Sequence, residues 1–210
     1  LTGGETEILQ QTNFHISGSI MGTVQKDRLI DGNRVEHGDV ILGLPSSGIH
    51  ANGWTAISKR MPEMITPENL TATKLYTREI MTLMARVDKP CAIVNITGGG
   101  FRNLERIPKN LQYELTFDYT PDPFKDLQCE FSHQELYTTF NCGIGMMVIV
   151  KMEDLAKAMD AMEGSRVIGG VVDNARPNVV VNGQDIFFGD ADPYVFKEKE
   201  VYAEYKLGDN

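Results

Sequence analysis

Two glycine-rich loops hold the residues of this chain best suited to chemistry. The first lies in DVILGLPSSGIHANGW, residues 39–54. Val40 to Leu44 is an apolar run of the kind that forms a short buried strand. It breaks at Pro45, and a helical pattern resumes only after Asn52 and Gly53. Between them stand Ser46, Ser47, Gly48, His50 and Asn52: two hydroxyls, an imidazole and an amide on a backbone that can bend. Such a loop can turn several N–H groups onto one anion, as phosphate-binding turns do. Taken alone, it equally fits an ordinary strand-to-helix turn.

The same device occurs a second time. CAIVNIT, residues 91–97, is another strand-like run, and Gly98, Gly99 and Gly100 follow it. A short helix, residues 101–107, is then stopped by Pro108. Three consecutive glycines are costly in chain entropy. They fit a backbone approached closely by a ligand, or a tight turn where a helix packs on a sheet. Two such loops in one small chain favour a ligand carrying phosphate. Of the four histidines, His50 is the functional candidate, while His15, His37 and His133 read as structural or solvated. Cys142 enters an apolar run and reads as core. Arg102 and Arg106 fit either a phosphate contact or a solvated face.

The elements that must position these loops follow from periodicity. Residues 14–25 alternate like a strand interrupted by Gly18 and Gly22. A helix is predicted over 53–60. Another is predicted over 73–87, with Leu75, Ile80, Leu83, Met84 and Val87 on one buried face. A strand at 111–117, a Pro-Asp loop, and a helix at 132–139 capped by Ser132 come next. A buried strand at 142–150, an amphipathic helix at 153–162 and a strand at 166–172 complete the pattern. The alternation predicts an α/β fold, a mixed sheet layered with helices. Residues 183–210 are charged and aromatic and take no assignment.

The chain has 210 residues and a net charge of −9, with basic residues scattered, which argues against nucleic acid as a partner. No run approaches a membrane span, and no secretory signal is visible. Three widely spaced cysteines suit a reduced, cytoplasmic protein, and no CxxC or HxxxH pattern suggests zinc. The sequence opens at Leu1 in what reads as a glycine turn, so it is expected to be part of a longer product.

Four blocks carry a family resemblance. They are GGETE (residues 3–7), SSGIHANG (46–53), TGGGF with Asn103 and Arg106 (97–106), and YTTFNCGIGM (137–146). In this order and spacing the chain resembles aminoimidazole ribonucleotide synthetase, the phosphoribosylformylglycinamidine cyclo-ligase of purine synthesis. The resemblance runs from residue 1 to about residue 182 and covers that enzyme's C-terminal α/β domain. The family's N-terminal ATP-binding domain, with acidic magnesium ligands, is expected to lie outside this chain. Ala51 stands where the family usually has Ser, and Thr138 where it has Arg.

The resemblance implies ATP-dependent ring closure of formylglycinamidine ribonucleotide, with ATP and Mg2+ as cofactors, an anionic ribonucleotide substrate, and a homodimer. On the residues it implies His50 and Asn52 in turnover. Ser46, Ser47, Gly48, Gly53, Gly98, Gly99, Gly100, Asn103 and Arg106 would hold substrate or phosphate. Glu5 would face the metal or the amidine, or would stabilise its turn. Two other readings stand beside this one: a related ATP-using enzyme that activates an oxygen, and a non-catalytic module that kept its phosphate loops.

Overall fold

The computed structural model describes residues 18–116, 121–175 and 177–186. Its centre is β1, Val40–Pro45, buried along most of its length. β1 pairs antiparallel with β4, Ile144–Val150, on one side and with β5, Arg166–Asp173, on the other. β2, Ala92–Asn95, pairs antiparallel with β4 at the sheet edge. Beyond β5 come β3, Leu111–Leu115, then β6, Asn178–Val181, then β7, Gln184–Asp185, giving the order β2-β4-β1-β5-β3-β6-β7. β3 and β6 run parallel, so the sheet is mixed.

Alternate residues of a strand face opposite sides, and both sides of this sheet are covered. Leu42, Leu44, Val148 and Val150 pack with α2, Thr77–Arg86, and α5, Leu155–Ala161. Ile41, Met147, Ile149 and Ile168 face the other way. There they meet α1, Trp54–Arg60; α3, Phe124–Glu130; α4, His133–Thr139; and a 3-10 turn, Gly100–Arg106. Helices on both faces explain why β1 and β4 read as unbroken apolar runs rather than as alternating ones.

Several expectations need correction. The described part of the 14–25 segment, residues 18–25, forms no strand, and Ile20 and Met21 are 97% and 98% exposed. The 73–87 helix begins at Thr77, so Leu75 lies before it and is 83% exposed. Of the remaining predicted face, Leu83 and Val87 are buried and Ile80 packs partly against them, while Met81, which is not on that face, points outward. The Pro-Asp loop contains α3, a two-turn helix whose Phe124 and Leu127 are buried. Ser132 caps α4 as expected: its Oγ accepts the Glu135 N–H at 3.3 Å, and its N–H donates to Glu135 Oε2 at 3.0 Å. All three cysteines are free. No helix among the described residues is long and apolar enough to cross a membrane.

This packing sets a contrast within one helix. Leu83→Ala removes a fully buried side chain from α2 and is expected to cost about 2–5 kcal/mol. Met81→Ala, one turn face away, is expected to cost no more than about 0.5 kcal/mol. Urea midpoints of the two variants check the assignment.

Candidate functional site

β4 runs antiparallel to both β1 and β2 and lies between them, so β1 and β2 point the same way. Their C-terminal ends therefore open at one edge of the sheet, on either side of the start of β4. Pro45 pairs with Ile144, and the Ile96 N–H donates to Gly145 O at 3.1 Å. The two glycine-rich loops and the 137–146 block are thus neighbours. Asn52 Nδ2 donates to Thr97 Oγ1 at 3.2 Å, tying the loops together directly.

The 46–53 loop is held on its inner side. Its Gly48 and Ile49 carbonyls accept from Asn141 Nδ2 at 2.9 and 3.0 Å, and the Ser46 N–H donates to Gly143 O at 2.9 Å. Ser47 Oγ donates to Ala72 O at 2.7 Å. By contrast, the N–H groups of residues 48–53 donate to no acceptor among the described residues. His50 is 6% exposed, with φ +63°, and its carbonyl accepts from Trp54 Nε1 at 2.6 Å. Its Nε2 accepts the Ser47 N–H at 3.1 Å, which places the ring proton on Nδ1. Burial lowers the pKa of His50 from its ordinary value. At neutral pH the ring is therefore an uncharged loop brace with Nδ1–H left to donate.

Three glycines here answer to packing. A Cβ on Gly53 would lie 2.2 Å from Phe140, with φ at +91°. One on Gly100 would lie 2.2 Å from Tyr137 O, and one on Gly145 would lie 2.0 Å from Tyr76 Oη. Gly100 also spends its N–H on Thr97 O at 2.9 Å. Asn103, 4% exposed, donates Nδ2 to Gly100 O at 2.7 Å and Gly98 O at 3.2 Å, clamping the triple glycine. Gly98 is different: it is exposed, and its nearest neighbour, Asn52 Oδ1, lies at 3.6 Å.

Two grooves flank the loops. One, of about 410 Å³, is lined by Ser46, Ser47 and Gly48 together with Glu68, Asp122 and Asp126. The other, of about 420 Å³, lies along the β2 edge and includes Thr97, Asn103 and Arg106. Arg106 is exposed and makes no ion pair or hydrogen bond among the described residues. Arg102 pairs with Glu105 at 2.8 Å. Three carboxylates line the groove beside Ser46–Ser47, whereas the β2-edge groove sets Arg106 against one, Asp31, so a bare anion meets less repulsion there. Among the described residues no cluster of three His, Cys, Asp or Glu could hold a metal, and Glu5 lies outside them. Sequence reasoning gave no role to Asn141, Thr97 or the acidic groove. Thr97 and Asn141 lie in two of the four blocks singled out in the sequence, but their partners are brought in by the sheet.

The family described as AIR synthase related protein, C-terminal domain, matches residues 36–182. A phosphoribosylformylglycinamidine cyclo-ligase of Methanococcus vannielii is 30% identical over 98% of this chain and 61% of its own length. The chain thus spans about three fifths of that relative. Among solved structures, PurL of T. maritima complexed with FGAR superposes with a TM-score of 0.52 at 14% identity, over 78% of this chain and 29% of that one. A hydrogenase maturation protein HypE in complex with ATP gives 0.55 at 17% identity, over 77% and 53%. Both likenesses are of fold.

Two outcomes test this geometry. Gly53→Ala meets both an overlap and a left-handed φ and is expected to cost about 3 kcal/mol or more, whereas Gly98→Ala should leave the thermal midpoint nearly unmoved. The His50 prediction concerns pH. Its folded pKa lies below the unfolded value of about 6.5, so the unfolded chain takes up the proton first as pH falls. The neutral ring's contribution is complete above that unfolded value and is lost as pH drops toward the folded one. His133, also depressed by burial, adds the same sign. Urea midpoints at pH 7 and 5 should therefore converge more closely in His50→Gln, which keeps an acceptor for Ser47, than in the unmutated chain.

Proposed function

The chain belongs to the AIR synthase related family by its C-terminal domain, and on that premise we propose that it supplies one part of an ATP-dependent cyclo-ligase. The reaction is closure of formylglycinamidine ribonucleotide to aminoimidazole ribonucleotide. ATP phosphorylates the formyl oxygen, an internal nitrogen attacks that carbon, and inorganic phosphate leaves as the ring forms. The observation that carries the reading is the meeting of the two glycine loops and the 137–146 block at one sheet edge, joined by Asn52 to Thr97 at 3.2 Å.

The charge layout suits this substrate. Formylglycinamidine ribonucleotide has a cationic amidine at one end and a phosphate ester at the other. Glu68, Asp122 and Asp126 line the groove beside Ser46 and Ser47, and Arg106, with the single carboxylate Asp31, lines the groove beside Thr97. We assign the amidine to the acidic side. The phosphate goes to Arg106, the open Gly98–Gly99 backbone and the uncommitted amides of the 46–53 loop. Asn52, between the grooves, and the Nδ1–H of His50 orient the reacting portion as neutral donors. Preorganised donors of this kind stabilise charge that develops in the transition state. FGAR on PurL and ATP on HypE are ligands of the same chemical kind.

The described residues do not fit a magnesium site. We assign ATP and Mg2+ mainly to the part of the cyclo-ligases that this chain does not span, and read the whole protein as a cytoplasmic homodimer.

The test is ADP release. The 210-residue chain alone should release none from ATP and formylglycinamidine ribonucleotide, and adding the remaining part of the protein should restore turnover. In the restored enzyme, Arg106→Ala should raise KM for the ribonucleotide about tenfold, the size of one lost charged contact. Asn52→Ala should lower kcat by a similar factor. Substrate-dependent ADP release by the chain alone would refute this division of labour.

A further inference from the structure

Asn141 is a buried polar side chain beside the 46–53 loop that the proposed chemistry leaves unused. It is 3% exposed, at the start of β4, and more than ninety residues from the loop it holds. Its Oδ1 accepts the Gly143 N–H at 2.9 Å, which fixes the orientation of the carboxamide. Its Nδ2 donates to Gly48 O at 2.9 Å and to Ile49 O at 3.0 Å. A peptide unit is planar and trans, so each carbonyl points opposite to the N–H that follows it. Drawing the Gly48 and Ile49 carbonyls onto Asn141 therefore turns the N–H groups of Ile49 and His50 away from it. Neither N–H donates to an acceptor among the described residues.

The geometry points to Asn141 as a positioning residue that aims two peptide donors at a phosphate oxyanion without touching it. The inference rests on reading the 46–53 loop as part of the phosphate-holding site. Only a side chain with a donor and an acceptor on one rigid amide serves here. Aspartate would keep the acceptor for Gly143 and present lone pairs to two carbonyls, favouring the flipped peptides that point N–H inward. His50 braces the preceding residue of the same loop through the Ser47 N–H. The two side chains thus fix consecutive residues of one turn, Asn141 the Gly48 and Ile49 carbonyls and His50 the Ser47 N–H.

Trp54 makes the test direct. It is the one tryptophan of the chain, and its Nε1 donates to His50 O at 2.6 Å, so its emission reports on the loop. Inorganic phosphate titrated into the full chain at pH 7.5 should change Trp54 emission saturably. It should also shift the 15N–1H resonances of Ile49 and His50 more than those of residues elsewhere. Asn141→Asp, with a cooperative thermal transition retained, should bind phosphate at least tenfold more weakly. Competition with ribose 5-phosphate and with ADP shows which compound's phosphate the loop takes, by which displaces inorganic phosphate at the lower concentration. A folded Asn141→Asp that binds as tightly as the parent overturns the proposal. If that variant does not fold, the parent spectrum decides: shifts centred on Ile49 and His50 support the proposal, and absent or displaced shifts overturn it. Phosphate bound there by a protein that, restored to full length, closes no ring would sink the cyclo-ligase reading and leave this one standing. Ring closure with an Asn141 variant of unchanged phosphate affinity would do the reverse.

Discussion

Everything at this site depends on β4 lying antiparallel between β1 and β2. Two strands that share an antiparallel neighbour must run parallel to each other, so both release their loops at the same edge. The connection between β1 and β2 is long because parallel strands cannot be joined by a tight turn. That crossover carries α1 and α2, which cover opposite faces of the sheet. The site is therefore a product of strand order. Neither loop could find the other without β4: Gly143, just before it, and Gly145, near its start, supply the carbonyls that anchor each loop's entry.

Strand order also explains why the edge tolerates so much polar backbone. A loop with six uncommitted amides is costly if buried away from water. The 46–53 loop offsets this by committing its carbonyls to Asn141 and its Ser47 amide to His50. The unsatisfied donors are thereby gathered on the other side. A neutral imidazole serves that purpose well, because a charged ring at this depth would demand a counter-ion. The carboxylates nearby, Glu68, Asp122 and Asp126, lie in the groove beside Ser46 and Ser47 instead.

Much of this was legible in the residues, and the losses have physical causes. β1, β2 and β4 are apolar runs bounded by glycine, and both helix starts that follow a glycine loop were readable from the break in periodicity. The capping box at Ser132 is a local signal and appeared as such. α3 was hidden because Pro121 and Pro123 mark a loop and Pro123 stands at its N-cap with no capping side chain, unlike the Ser132 cap of α4. β6 was missed because its partner, β3, is distant in sequence and pairs parallel. Leu75 was drawn into the α2 pattern by spacing alone, although the helix starts at Thr77 and leaves it in water. Asn141 stands in the 137–146 block, but its role was not readable there: its two donor bonds reach residues more than ninety positions away.

The glycines separate two demands that look alike in a sequence. Gly53 and Gly100 lie in glycine motifs, yet each is accounted for by a ring or a helix end that a Cβ would strike. Gly145 makes room for Tyr76 and for the His50 ring, so it belongs to the bracing of the first loop although it stands on β4. Gly99 needs its left-handed φ of +92° to enter the 3-10 turn. Once these are set aside, Gly98 remains, with ordinary space around it, an exposed backbone and no conformational need for glycine. Packing does not explain its missing side chain. The substrate phosphate proposed above would lie across this open backbone, between Asn52 and Arg106.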